Sequence, residues 1–118
     1  MIGVFCEIYG SSIRNQIIEF FLENQSGDFA VSSLAEELKI SRPKAYEYVQ
    51  KFEKQGYVSK SRVIGRTQLY KLDKSHKHVK ILMKSFMNCL DLVVEEHSTK
   101  HKHATDAAHV GVASAKGL

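Results

Sequence analysis

Arg42, Lys44, Lys51, Lys54, Lys60, Arg62 and Arg66 crowd into residues 41–66, interleaved with Tyr46 and Gln50. Together these side chains suit one chemistry. Lysine and arginine neutralise phosphate oxygens, and arginine and glutamine also hydrogen-bond the edges of bases. The placement of Arg42 and Lys44 sharpens this reading. Both fall at the start of a helix that Ser41 is suited to cap, where the helix dipole favours acids and disfavours cations. Cations there make sense when a phosphate or a base edge comes to that end.

The charge of the whole chain hides this concentration. Over 118 residues the net charge is +4. Residues 1–40 hold two cations against six acids, a net of −4; residues 41–84 hold twelve against three, a net of +9; the remainder holds three against four, a net of −1. A basic middle behind an acidic front resembles the footprint of a polyanion-binding surface, although a solvated basic face has the same composition.

The elements that position these residues can be read from spacing. Ser11 or Ser12 caps a helix whose apolar stripe is Ile13, Ile17, Phe20 and Phe21, and turn residues 23–28 end it. Residues 29–31 lean towards an extended piece. Ser32 or Ser33 caps the next helix, with Leu34, Ala35 and Leu38 facing inward. A tight turn over residues 39–41 leads to the helix of Arg42 and Lys44. Pro43 fits its first turn, Ala45, Val49 and Phe52 face inward, and Gly56 ends it. Two β-like runs follow, turning at Gly65. Tyr57 and Tyr70 pack this hairpin onto the preceding helix, Tyr48 is intermediate, and Tyr46 is exposed. Residues 75–96 form one long helix on which Val79, Leu82, Phe86, Cys89 and Val93 step by three and four.

This order of elements is that of a winged helix-turn-helix, whose second helix presents its N-terminal half to the major groove. The sequence SSLAEELKISRPKAYEYVQKFEKQGYVSKSRVIGRTQLYKL resembles the helix-turn-helix and wing of MarR/ArsR-like winged-helix transcription regulators. EIYGSSIRNQIIEFFLEN resembles the first helix of small archaeal members, so the likeness covers about residues 7–84. The resemblance implies sequence-selective binding to double-stranded DNA, usually as a homodimer. By position, Ser41, Arg42, Pro43, Lys44, Tyr46, Glu47 and Gln50 lie on the groove side, and Arg62 and Arg66 flank the wing tip. Lys44, Lys51, Lys54, Lys60 and Arg66 are suited to phosphates, which give affinity without sequence information. Arg42, Tyr46 and Gln50 are suited to base edges. Glu47 departs from the family pattern. It either accepts from a cytosine amino group or pairs with Lys51 one turn on.

The predicted fold is mainly α with a small β-hairpin wing. It divides into a DNA-binding domain over residues 1–74, a dimerisation helix over 75–97 and a flexible tail over 98–118. The long helix carries more apolar surface than one face needs, with a second line of Met83, Leu90 and Val94 beside the first. Val79, Leu82, Met83, Phe86, Leu90 and Val93 are therefore expected at a dimer seam. His97, His101 and His103 cluster after Cys89, as zinc or nickel ligands would, but their loose spacing favours a solvated tail with no metal or cofactor. Cys6 and Cys89 form no CxxC and read as buried free thiols. The sequence shows no catalytic constellation, signal peptide or membrane-spanning run, so a cytoplasmic protein that is not an enzyme is expected. Two other functions fit the same features, a winged helix for protein–protein contact and a metal-responsive regulator.

Overall fold

A computed structural model describes residues 3–102, with side chains for residues 3–96. In chain order the elements are α1 (Val4–Tyr9), α2 (Ile13–Glu23), β1 (Asp28–Ala30), α3 (Val31–Leu38), α4 (Arg42–Gln55), β2 (Val58–Ile64), β3 (Thr67–Leu72) and α5 (Lys77–Lys102). The three strands form one antiparallel sheet in the order β1-β3-β2. The mainly α fold with its β wing follows the expected plan.

The local signals explain most boundaries. The Ser12 hydroxyl accepts from the Asn15 backbone N–H at 3.1 Å and opens α2. The Ser41 hydroxyl does the same for Lys44 at 3.3 Å and opens α4. Gly56 ends α4 at φ 83°, with its N–H returning to the last turn and the Tyr57 N–H bonding the Phe52 carbonyl. That closure suits glycine, since a left-handed φ costs a side-chain-bearing residue strain. Between α3 and α4, Lys39 takes the left-handed cap itself at φ 59°.

Three features differ from expectation. A helix, α1, precedes α2. At six residues it is too short to show a periodicity, and it is anchored from elsewhere. The Glu19 carboxylate on α2 accepts the Gly3 and Phe5 backbone N–H groups at 3.2 and 3.1 Å and so caps α1 from outside. Second, neither Ser32 nor Ser33 caps α3. The helix starts at Val31 directly from β1, and Ala30 is its N-cap without a side-chain bond. The strand β1 pairs Asp28–Ala30 with β3, turning the expected two-stranded hairpin into a three-stranded sheet. Third, α5 starts at Lys77 and runs through Lys102, into the first residues assigned to a tail. Residues 103–118 lie outside the described residues, as does His103; the side chains of His97 and His101 are not described either.

One core joins every helix to the sheet. Ile17, Phe21 and Leu22 of α2 meet Leu34 of α3, Val49 and Phe52 of α4, and Val79, Phe86 and Cys89 of α5. Val79 is 0% exposed, and Phe86 is also buried. These two, expected at a dimer seam, therefore lie inside the protomer's own core. The α5 line Val79, Leu82, Phe86, Cys89 packs inward, while Leu90 and Val94 of the neighbouring line are exposed, along with Ile81, Met87 and Leu92. Leu82 and Met83 are half-buried against the core, and Val93 is half-buried.

Candidate nucleic-acid interface

The α4 core face explains how the basic residues come to share a surface. Ala45, Val49 and Phe52 are buried, which fixes the rotation of the helix. At about 100° per residue, Pro43, Glu47, Gln50 and Lys54 then centre the outward face. Arg42 and Tyr46 flank it on one side, Lys44 and Lys51 on the other. Ser41, Arg42, Pro43, Lys44, Tyr46, Glu47, Gln50, Lys51 and Lys54 are all exposed. The first turn of α4 carries no acid, so its free N–H groups and its cations face outward together.

Glu47 takes one of its two readings in this structure. Its carboxylate meets Lys51 at 3.4 Å and Lys44 at 3.5 Å. The Lys51 hydrogen bond, with the Lys44 charge, holds its carboxyl below the usual range. All three side chains are well exposed, so these pairs add little stability. They do offset part of the positive charge at the centre of the face.

The wing cations separate. Lys60, Arg62 and Arg66 are all exposed. Arg62, expected to flank the wing tip as a DNA contact, turns back to the first strand. Its Nε donates to Asp28 Oδ2 at 2.9 Å and its Nη2 to Asp28 Oδ1 at 3.3 Å. Ser61 donates to the same carboxylate. The Arg62 and Ser61 hydrogen bonds hold the Asp28 carboxyl below its ordinary value. A register irregularity between Lys60 and Val63 makes the contact reachable. From there Arg62 crosses the central strand β3 to reach β1. Leu69 of β3 faces that side and is only 8% exposed, although it is no member of the main core. The sequence carried no signal for Asp28 in this role, because its partner lies 34 positions away. Arg66 makes no ion pair among the described residues.

Tyr57, expected to pack the wing, stacks on Phe52 at a centroid distance of 6.0 Å. It also meets His76 and His78 at the start of α5, and its hydroxyl lies 3.3 Å from His78 Nδ1. Tyr70 is buried, and Tyr48 is half-buried. Cys6 and Cys89 are free and buried. Burial, with a hydrogen bond to Glu19, pushes the Cys6 thiol up to about 12. Among the described residues no three His, Cys, Asp or Glu side chains are grouped to hold a metal. No helix among them is long and apolar enough to cross a membrane.

Comparison with known proteins agrees with this geometry. Residues 22–74 match the family model described as "Sugar-specific transcriptional regulator TrmB". No curated protein matches the chain. Among solved structures it is similar to the adhesin competence repressor AdcR of Streptococcus pyogenes, with a TM-score of 0.56 and 14% identity, over 80% of this chain and 66% of that one. It is similar to MepR, a transcription regulator of a Staphylococcus aureus multidrug efflux pump, with a TM-score of 0.57 and 14% identity, over 80% and 68%. It is also similar to Mb0332 of Mycobacterium bovis, a homodimeric winged helix-turn-helix DNA-binding domain. There the TM-score is 0.51 and the identity 19%, over 92% and 85%. Identities this low speak for the fold alone. Residues 22–74 are thus similar to the TrmB family model, and the chain shares the fold of these winged-helix structures.

Proposed function

We propose that this chain is a transcription regulator that binds double-stranded DNA sequence-selectively as a homodimer. The N-terminal half of α4 enters the major groove, and the wing lies on the flanking backbone. One observation carries the reading: α4 buries its apolar face and leaves a capped, acid-free first turn outward with Arg42 and Lys44 on it. Arg42, Tyr46 and Gln50 read base edges. Lys44, Lys51, Lys54, Lys60 and Arg66 meet phosphates. Residues 1–74 form the DNA-binding domain and α5 the dimer element. Such a role places the chain in the cytoplasm with the chromosome.

The homodimer is supported by the apolar side chains that the protomer leaves uncovered on α5, with Ile8 and Tyr9 of α1 exposed as well. Exposed apolar surface of this kind usually marks an interface. The Mycobacterium bovis domain, of the same fold, is a homodimer. A two-fold partner sets two α4 helices to read half-sites about 34 Å apart, one turn of DNA.

Selection of bound sequences from random duplexes tests this. The expected product is a pair of inverted half-sites about one turn apart. Arg42→Ala with Lys44→Ala should abolish the selection while thermal stability is kept or rises slightly, because two cations leave the positive end of the dipole. Unchanged selection by the double variant would remove these residues from the site. Failure of the wild-type chain to retain any duplex would favour a role in protein–protein contact.

A further inference from the structure

Behind the apical cation Arg66 the wing tip carries apolar side chains, which a purely electrostatic backbone contact would not call for. Val63 is 59% exposed and Ile64 is 55% exposed. In the basic stretch of residues 41–74 only Tyr46 joins them as an exposed large apolar side chain. Val63 pairs with Gln68 and Ile64 with Thr67, so the two project to opposite faces of the hairpin. The turn between them and β3 is Gly65–Arg66. Gly65 sits at φ 64°, and no other atom lies within 4 Å of where a side chain would project from it. The apex is therefore slim, with a branched apolar side chain on either side just behind it.

The neighbouring charges say what such a tip meets. Arg66 stands at the apex, and Lys60 is exposed on β2. Arg62 is turned away, held to Asp28 by two hydrogen bonds that tie the hairpin across β3 to β1. That tie braces the hairpin at the irregularity where it would otherwise bend. A slim, braced, apolar-sided tip beside free cations matches the groove of a polyanion. It does not match an acidic protein surface, which would reward more cations and fewer branched hydrocarbons.

Resting on the DNA-binding reading above, we propose that the wing acts as an apolar wedge. The tip enters the minor groove, where Ile64, next to the apex, partly unstacks one base step and Val63, on the other face, packs on the sugar wall, with Arg66 on the adjoining phosphates. Apolar side chains inserted in this way kink a duplex by roughly 20–90°. The step is expected to be pyrimidine–purine, since TA and CA steps unstack most easily. The wing would then add sequence preference through deformability, at base pairs that no side chain hydrogen-bonds.

The test uses the full chain and duplexes recovered by selection, labelled with a dye at each end. Val63→Thr with Ile64→Thr keeps both β-branched shapes and the strand propensity, so the fold is retained. The wild-type chain should shorten the end-to-end distance. The double threonine variant should lose that bend and bind about tenfold more weakly where a TA or CA step lies under the wing, with its salt dependence unchanged. Arg66→Ala should instead flatten the slope of log K against log salt by about one. An unchanged bend and affinity in the threonine variant would overturn the wedge while leaving DNA binding intact. Conversion of that variant from dimer to monomer in sedimentation would overturn it in favour of a contact between copies. Absence of any duplex binding by the wild-type chain would overturn the wedge together with the function it rests on.

Discussion

Glu19 is the buried charge of the described core, at 6% exposed. It stays there because its two oxygens receive the Gly3 and Phe5 N–H groups. A side chain at position 3 would meet this carboxylate, which would have to shift to admit it. Charged hydrogen bonds of this kind contribute about 1.5–3 kcal/mol each, and an orphaned donor costs more than a neutral swap. Glu19→Ala should therefore lower stability by about 2–3 kcal/mol in urea titration, with α1 released first. A loss below about 0.5 kcal/mol would mean that α1 is held by packing alone. Nothing in the sequence marked Glu19. It falls off the stripe of Ile13, Ile17, Phe20 and Phe21, and its partners are backbone groups with no side-chain signature. Ser41, by contrast, was legible, because a serine before Arg-Pro-Lys is a local cap that needs no distant partner. The exposed face of α4 was legible for a related reason: Ala45, Val49 and Phe52 set its rotation, and the side opposite them had to point out.

At the scale of elements, the sequence revealed the helices longer than two turns and the extended lean of residues 29–31, and missed the partners that tertiary contact supplies. The three-residue β1 exists through its pairing with β3, and α1 through Glu19. On α5 two apolar lines were visible, but spacing alone could not say which one its own domain would cover. The structure gives Val79, Phe86 and Cys89 to the core, half-buries Met83 of the second line and leaves its Leu90 and Val94 uncovered. The wing depends on a contact of the same non-local kind, between Arg62 and Asp28. Arg62 and Ser61 depress the Asp28 carboxyl below its ordinary 3.8. The stabilisation from this pair is thus complete above about that pH and lost as pH falls through the lower folded value. Arg62 is largely exposed, so the pair contributes little to global stability. Asp28→Asn should leave the melting temperature nearly unchanged at neutral pH yet speed amide exchange in β2 and β3 beyond the irregularity. Unchanged exchange there would show that the hairpin needs no brace.

Across the whole molecule the organising fact is the split of charge. The acidic first forty residues build α1, α2 and α3, and the basic residues that follow build α4 and the wing. Folding brings Lys44, Lys51 and Lys54 onto one exposed helix and leaves Lys60 and Arg66 exposed on the hairpin. Glu47 pairs with two of these lysines and offsets part of their charge. If phosphates are what these cations meet, binding must release counterions in proportion to the number of phosphates neutralised. The most direct measurement is the affinity of the full chain for a mixed-sequence duplex across a range of salt concentrations, with Lys44→Ala, Lys51→Ala and Lys54→Ala combined as the comparison. Log K should fall linearly with log salt, and the triple variant should have a slope shallower by about 0.9 for each phosphate it no longer neutralises. An affinity indifferent to salt, or the same slope in the variant, would contradict DNA binding through this face.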